Sequence, residues 1–203
     1  MARPPALVTV CIDDTDGPDS RGTAKLALSI IAVLQPRLRC FSLTTHPHLR
    51  GDNELFDLDR NHSSCLRFHG EPGLDLGELV HEIRCLVLED LVQGSNPGIC
   101  VGRQIPDEVQ AFAERSRNER LESNEAHALA LAHGLHLEAL AGDGSGVIGA
   151  LAGAGTAAAG GPGTYLQLGE APLDLRGLIS PRKLVAIGIE HLVDVNSGVP
   201  IPL

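Results

Sequence analysis

Apolar residues recur with two different periods along the chain, and the change of period divides it into short strands and helices. Residues 7–12 are apolar and largely β-branched on both faces, which is typical of a buried strand. Residues 23–34 carry apolar side chains at helical spacing. The same patterns predict strands at 38–45, 63–68 and 99–101 and helices at 76–92, 106–117 and 123–133. The first six elements therefore run βαββαβ.

The last third of the chain is rich in glycine and alanine. Residues 135–140 are interpreted as part of a helical Leu/His segment, and short strands are predicted at 165–168 and 184–189. Residues 157–163 indicate a flexible loop and not a domain linker, because too little chain follows to form an independent domain. We expect residues 1–203 to form one compact mixed α/β unit, or two intertwined lobes.

Composition limits the classes of partner. The chain has 43% hydrophobic residues, enough for a sizeable core, but only one Tyr, four Phe and no Trp on which nucleic-acid bases could stack. Twenty-six acidic and 16 basic residues give a formal charge of −10, which opposes non-specific attraction to phosphate backbones. The five cysteines are far apart, and the sequence lacks a signal peptide or a membrane-length apolar run. These features predict a cytoplasmic protein with reduced thiols.

An acidic loop follows the first strand in "CIDDTDGPDSRGTA", which contains Asp13, Asp14, Asp16 and Asp19. Carboxylates this close repel one another, so a bound cation is the expected compensation. An EF-hand is excluded because Ile12 and Thr23 would occupy ligand positions, and the phosphoaspartyl motif D-x-D-x-T/V is excluded by Pro18.

A magnesium–nucleotide loop remains. Asp13 and Asp14 would hold Mg²⁺, while hydroxyls at three positions and the backbone at Gly22, before the next helix, would contact phosphate. The hydroxyls are those of Thr15, Ser20 and Thr23. The alternative is that these residues form an ordinary turn and helix cap. A transition-metal site at His46, His48 and Asp52 is a weaker hypothesis, because a well-spaced further ligand is missing.

A second glycine cluster, "GDGSGVIGALAGAG", contains Gly144, Gly146 and Gly149 in the spacing G-x-G-x-x-G. Because it follows a segment interpreted as helical, we do not expect a Rossmann dinucleotide site. Glycines at a helix start allow close approach either of a phosphate or of another backbone, and the residues alone do not separate these two possibilities.

Three motifs together resemble the archaeal tRNA-isoleucine 2-agmatinylcytidine synthetase family. "IDDTDGPDSRGTA" is similar to its DDTD loop, "SNPGICVG" to its N-P-G turn, and "GDGSGVIGALAGAG" to its glycine-rich segment, all in the same order. The resemblance implies a kinase-like lobe combined with a ferredoxin-like βαββαβ region. The family uses ATP to phosphorylate a tRNA cytidine, and agmatine then displaces the phosphate.

The resemblance implies an ATP-dependent phosphoryl transferase or ligase with Mg²⁺. The catalytic and metal-binding residues would be Asp13, Asp14 and Asp16. The nucleotide would contact Thr15, Ser20, Gly22, Thr23, Asn96, Pro97, Gly98, Gly144, Gly146 and Gly149.

The chain also departs from the family pattern. Family members are about twice as long and carry an OB-fold and a zinc ribbon, for which this sequence has no counterpart and no C-x-x-C. We therefore expect weak tRNA binding and a small-molecule phosphoryl acceptor. The alternative function is a non-catalytic module that binds a nucleotide or a metabolite.

Overall fold

The fold was analysed in a computed structural model, which describes residues 6–17, 19–48, 62–70, 73–169, 171–172, 179–186, 192–193 and 200–202. The N-terminal half contains β1 (Ala6–Asp13), α1 (Thr23–Leu34), β2 (Arg39–Pro47), β3 (His62–Gly70), α2 (Leu76–Glu89) and β4 (Gly98–Gly102). The remainder contains α3 (Asp107–Arg115), α4 (Ser123–Ala132), β5 (His136–Ala139), α5 (Gly146–Ala158), β6 (Thr164–Leu168), β7 (Ala171–Pro172), α6 (Pro181–Ala186), β8 (Leu192–Val193) and β9 (Pro200–Ile201).

One antiparallel sheet organises the fold. Its seven strands lie in the order β5-β4-β1-β3-β2-β6-β7, and β8 and β9 form a separate pair. Within it, β4-β1-β3-β2 is the strand order of a ferredoxin-like βαββαβ unit, in which each helix crosses over an intervening strand. The mixed α/β class and the βαββαβ order predicted from the sequence are confirmed.

Helices cover both faces of the sheet, and the two interfaces differ in composition. On the first face, α1 and α2 pack on large apolar side chains such as Val10, Ile12 and Phe68, none of which is exposed. On the second face, α3, α4 and α5 pack on small residues, among them Cys11 and Cys65. Because these side chains are small, the backbone of α5 lies close to the strands beneath it.

Two predicted elements were wrong. Residues 136–139 form β5, which pairs with β4, because Leu135 and Leu137 alternate with polar residues at the period of a strand. A strand was predicted to begin at residue 184, but residues 181–186 form a helix. Pro181 occupies the first helical position and Ser180 Oγ accepts a 3.3 Å hydrogen bond from the Lys183 N–H, a combination that starts a helix.

All five cysteines are free thiols, as predicted, and four of them are buried. Within the described ranges, no helix is both long and apolar enough to cross a membrane.

Candidate functional site

The acidic loop connects the end of β1 to the start of α1. Asp13 is the last residue of β1, pairs with Gly98 of β4 and is 8% exposed. Its carboxylate lies against α5, where a Cβ added to Gly149 would stand 1.8 Å from Oδ2. The next residue, Asp14, has a φ of 52°, a left-handed conformation that Asp and Asn tolerate better than most residues. The chain therefore turns sharply at Asp14 as it leaves the sheet.

Asp14 joins three segments that are far apart in the sequence. Asn96 Nδ2 donates a 3.2 Å hydrogen bond to Asp14 Oδ2, and the Asn96 N–H donates to the Asp14 carbonyl at 3.1 Å. Ser145 Oγ donates to the same carboxylate oxygen at 3.4 Å. The acidic loop, the turn before β4 and the loop before α5 thus meet at one partly exposed carboxylate.

Asn96 also orders the glycine-rich loop. Its Oδ1 accepts a 3.0 Å hydrogen bond from the Asp143 N–H, and a Cβ at Gly142 would lie 1.9 Å from the same oxygen. Gly142 has a φ of +69°, so both its conformation and its surroundings require glycine. Asp143 Oδ1 accepts from the Ser145 N–H at 2.9 Å, next to the start of α5. The Asn96 amide therefore bonds to both the acidic loop and the glycine-rich loop.

The rest of the acidic loop is built around the start of α1. Asp16 Oδ1 accepts a 2.6 Å hydrogen bond from the Thr23 N–H, and Gly22 is the N-cap residue with a φ of +94°. The hydroxyl of Thr15 donates to that of Thr23 at 2.8 Å, and both side chains are buried. Ser20 Oγ accepts from the backbone of the same loop, at Gly17. Asp16 thus caps a helix, and the two threonines bind each other instead of facing solvent.

The predicted nucleotide-contacting glycines have different surroundings. Gly98 and Gly146 are buried against each other's backbone, and Gly149 is buried against Asp13, so close helix–strand packing accounts for all three. Gly144 is partly exposed, with a φ of +82° that a turn requires. Pro97 is buried, and its carbonyl accepts a 2.8 Å hydrogen bond from the Leu140 N–H. Of the two roles proposed for Gly146 and Gly149, the geometry supports packing.

The three carboxylates predicted to share a metal point to different partners: Asp13 to α5, Asp14 to Asn96 and Ser145, and Asp16 to the α1 backbone. In the described part of the chain, no group of three His, Cys, Asp or Glu side chains is arranged to hold a metal ion. Magnesium bound together with a nucleotide needs only one or two protein carboxylates, because phosphate oxygens and waters complete its coordination. Asp13 and Asp14 fit that smaller donor set, whereas Asp16 does not extend it.

The histidine hypothesis has no support in the described residues. Both ring nitrogens of His46 bind protein atoms, Nε2 the Thr44 hydroxyl at 2.8 Å and Nδ1 the Pro162 carbonyl oxygen at 2.9 Å. Burial lowers the pKa of His46, and lowers the pKa of His48 to about 4. Asp52 lies outside the described residues.

Two contributors to the site, Asp143 and Ser145, were missed in the sequence. Both stand in "GDGSG" directly before α5, and Asp or Ser ahead of an apolar helical pattern is a signal for a helix start.

Comparison with known proteins gives a fold relationship. No family model and no curated protein matches the chain. Among solved structures, a complex of TiaS with an isoleucine tRNA and ATP aligns with a TM-score of 0.63 and 22% identity, covering 73% of this chain and 36% of that one. Apo TiaS, an agmatidine synthetase for the same tRNA, aligns with a TM-score of 0.60 and 24% identity over 73% and 35% of the two chains. A tRNA fluorescent labelling enzyme aligns with a TM-score of 0.62 and 22% identity over 73% and 36%.

The chain thus spans about a third of the length of these structures. At this level of identity the likeness is one of fold. The chain has a TiaS-like fold, the fold of the enzyme class that its three motifs resemble.

Proposed function

We propose that the acidic loop and the start of α5 form a site for ATP with Mg²⁺, and that the protein transfers or hydrolyses a phosphoryl group there. The observation that carries the proposal is the meeting of three motifs at Asp14, which contacts both Asn96 and Ser145. Asn96 and Ser145 are 82 and 131 positions away from Asp14 in the sequence. A turn whose only task was to start α1 would not need these long-range hydrogen bonds.

The charge of the site favours a bound cation. Asp13, Asp14 and Asp143 lie around the end of β1 and the start of α5. Arg21, the basic residue of the loop, forms a 2.9 Å ion pair with Asp90 and donates to Ser29, so its guanidinium is engaged elsewhere. Mg²⁺ bound with ATP would neutralise charge on the carboxylates and on the phosphates together.

Each residue of the site has a proposed part in positioning. Asp13 and Asp14 hold the metal-bound phosphates in place, and Asn96 fixes the orientation of the Asp14 carboxylate. Asp16 fixes the conformation of the loop by capping α1. The backbone N–H of Gly144, a partly exposed residue, lies beside the positive end of the α5 dipole and would donate to phosphate. Phosphoryl transfer depends mainly on such positioning and charge neutralisation.

Fold neighbours support the choice of nucleotide and leave the acceptor open. TiaS structures have been solved with ATP and an isoleucine tRNA, and with that tRNA, AMPCPP and agmatine. The net charge of −10 on this chain weakens attraction to a polynucleotide. We propose that the phosphoryl acceptor is a small molecule. Binding of isoleucine tRNA can be measured by fluorescence polarisation at physiological salt. A sub-micromolar Kd in that titration would contradict the proposal.

ATP with Mg²⁺ is expected to raise the melting temperature of the full chain, because a ligand of the folded state stabilises it by mass action. At a hundred times its Kd, ATP would contribute about 2.7 kcal/mol. Thermal unfolding should be measured with ATP and with GTP, each with Mg²⁺ and with EDTA. A shift that is the same in EDTA would contradict a metal-linked site.

The second candidate function is a nucleotide-binding module without turnover. Phosphate and pyrophosphate release distinguishes the two candidates under the conditions that give the thermal shift. Release above that of the Asp14→Asn variant supports an enzyme, and binding without release supports the module.

A further inference from the structure

A second polar region lies on the α5 face of the sheet, at the far end of that helix. Along β2, Ser42, Thr44 and His46 are all buried, and Arg67 of β3 pairs in register with Ser42. Together with Tyr165 of β6 and the glycine-rich turn after α5, these residues line a small cavity. We propose that this cavity, here called the Arg67 pocket, binds a small oxyanion, namely a carboxylate or a phosphoryl group.

Arg67 supplies the charge of the pocket. Its Nε is buried, and no hydrogen-bond acceptor for it is present among the described residues. Its guanidinium carbon lies 5.3 Å from the centroid of the Phe41 ring, a cation–π contact that holds the group but does not satisfy its donors. A buried donor on a charged group is costly to leave unpaired, so a ligand that accepts from it would be stabilised.

The neighbouring histidine does not neutralise Arg67. His46 Nδ1 donates to the Pro162 carbonyl, because a carbonyl can only accept, and His46 Nε2 shares a 2.8 Å hydrogen bond with the Thr44 hydroxyl. An imidazole carries no negative charge in either protonation state, so His46 leaves the charge of Arg67 unopposed.

A second guanidinium, that of Arg117, approaches the wall of the pocket. Its Nη2 would lie 3.0 Å from a Cβ placed on Gly161. Its Nη1 donates to Glu114 at 3.0 Å, but the Glu114 side chain is 70% exposed, so water screens that carboxylate. The two guanidinium groups therefore leave the pocket positively charged.

The end of α5 does not favour a cation instead. The Gly161 N–H donates to the Thr156 carbonyl at 2.9 Å, and the Gly160 N–H donates to the Ala157 carbonyl at 3.3 Å. Gly160 has a φ of +64°, so the helix ends in a Schellman motif that occupies the carbonyl groups of Thr156 and Ala157. The buried group of the pocket wall that still lacks a partner among the described residues is thus a charged donor, Arg67 Nε, which suits an anion.

The size of the pocket limits its ligand. The space in which the centre of a water molecule can lie inside the pocket is about 20 Å³. A single water needs roughly 10–15 Å³ of such space, so the pocket accepts one terminal oxyanion group and not a whole nucleotide. Gly149, at Asp13, and Ala157, at the pocket, are eight residues apart on α5, or about 12 Å along the helix. The Arg67 pocket is therefore separate from the proposed nucleotide site.

The test is thermal unfolding of the full chain in increasing inorganic phosphate or acetate, each compared with sodium chloride at equal ionic strength. We expect at least one oxyanion to raise the melting temperature saturably in the wild type. We expect Arg67→Gln to weaken that response at least tenfold. Arg120→Gln, which removes an exposed arginine, should respond like the wild type. A response to phosphate alone identifies a phosphoryl ligand, and a response to acetate alone a carboxylate.

Folding of the variants is checked by circular dichroism before the comparison. If Arg67→Gln does not fold, Arg67→Lys replaces it, because it keeps the charge but loses the Nε donor, and its response should again be weaker than that of the wild type. Equal responses in the wild type and in the folded Arg67 variant would overturn the proposal. A wild type that responds to neither oxyanion more than to chloride would overturn it as well.

Discussion

Gly146→Ala is expected to lower the free energy of unfolding by about 2–3 kcal/mol, the range of overpacked core positions. The added Cβ would lie 2.1 Å from the Asn96 carbonyl oxygen and 2.7 Å from the Gly98 nitrogen. Both contacts are with backbone, which cannot rotate away as a flexible side chain would. The higher helix propensity of alanine is worth about 1 kcal/mol at an interior position and less at Gly146, the first residue of α5, so it is smaller than this clash.

Urea unfolding measures the change, and Gly73→Ala is the matched control. Gly73 is exposed, and nothing lies within 4 Å of its Cβ position, so this variant should stay within about 0.5 kcal/mol of the wild type. If both variants had the same stability as the wild type, the close packing of α5 on β4 would be incorrect. Gly146 would then again be a candidate for contacting phosphate.

Asp14→Asn is expected to weaken Mg²⁺-dependent ATP binding at least about a hundredfold, or about 2.8 kcal/mol. Asparagine keeps the shape of the side chain, can still accept from Asn96 and Ser145, and tolerates the φ of 52° at this position. The substitution therefore removes the charge and leaves the fold in place. Calorimetric titration with ATP in the presence of Mg²⁺ gives the affinities.

Asp19→Asn is the control for this titration. Asp19 belongs to the same loop and is exposed, so its substitution makes the same change in net charge without touching the proposed site. We expect its affinity for ATP to stay within about twofold of the wild type, since exposed charges are well screened. Equal weakening by Asp14→Asn and Asp19→Asn would mean that only the overall charge of the loop matters.

Local patterns were sufficient to predict the ferredoxin-like part of the fold. The α1 helix was predicted at residues 23–34 and is observed there, because its apolar spacing and the glycine before it both mark the element. The β5 strand was missed because a four-residue edge strand has almost no periodic signal, and its pairing with β4 supplies the stabilisation. The α6 helix was missed because its short apolar run also suits a strand, and only the Ser180–Pro181 pair marks a helix start.

The candidate site was predictable in its residue types but only partly in their roles. The sequence placed Asp13 and Asp14 at the end of a strand, as observed, and Asn96 lies in the connection before β4 that its turn signal predicted. It could not show that Asp16 caps α1 or that Gly146 touches Gly98, because an acidic residue and a glycine have the same local signature in either role. Contacts between residues 14, 96 and 145 depend on the sheet order, which a local pattern does not contain.

The proposed role of Asp13 and Asp14 is to hold a metal-bound nucleotide at the start of α5. The most direct measurement is a crystal structure of the full chain with a non-hydrolysable ATP analogue and Mn²⁺, which prefers the same oxygen ligands as Mg²⁺ and is located by anomalous scattering. We predict a manganese peak within about 2.5 Å of a carboxylate oxygen of Asp13 or Asp14, with the phosphates beside the Gly144–Ser145 backbone. A nucleotide and metal bound elsewhere, with both carboxylates still bound only to protein atoms, would contradict this role for Asp13 and Asp14.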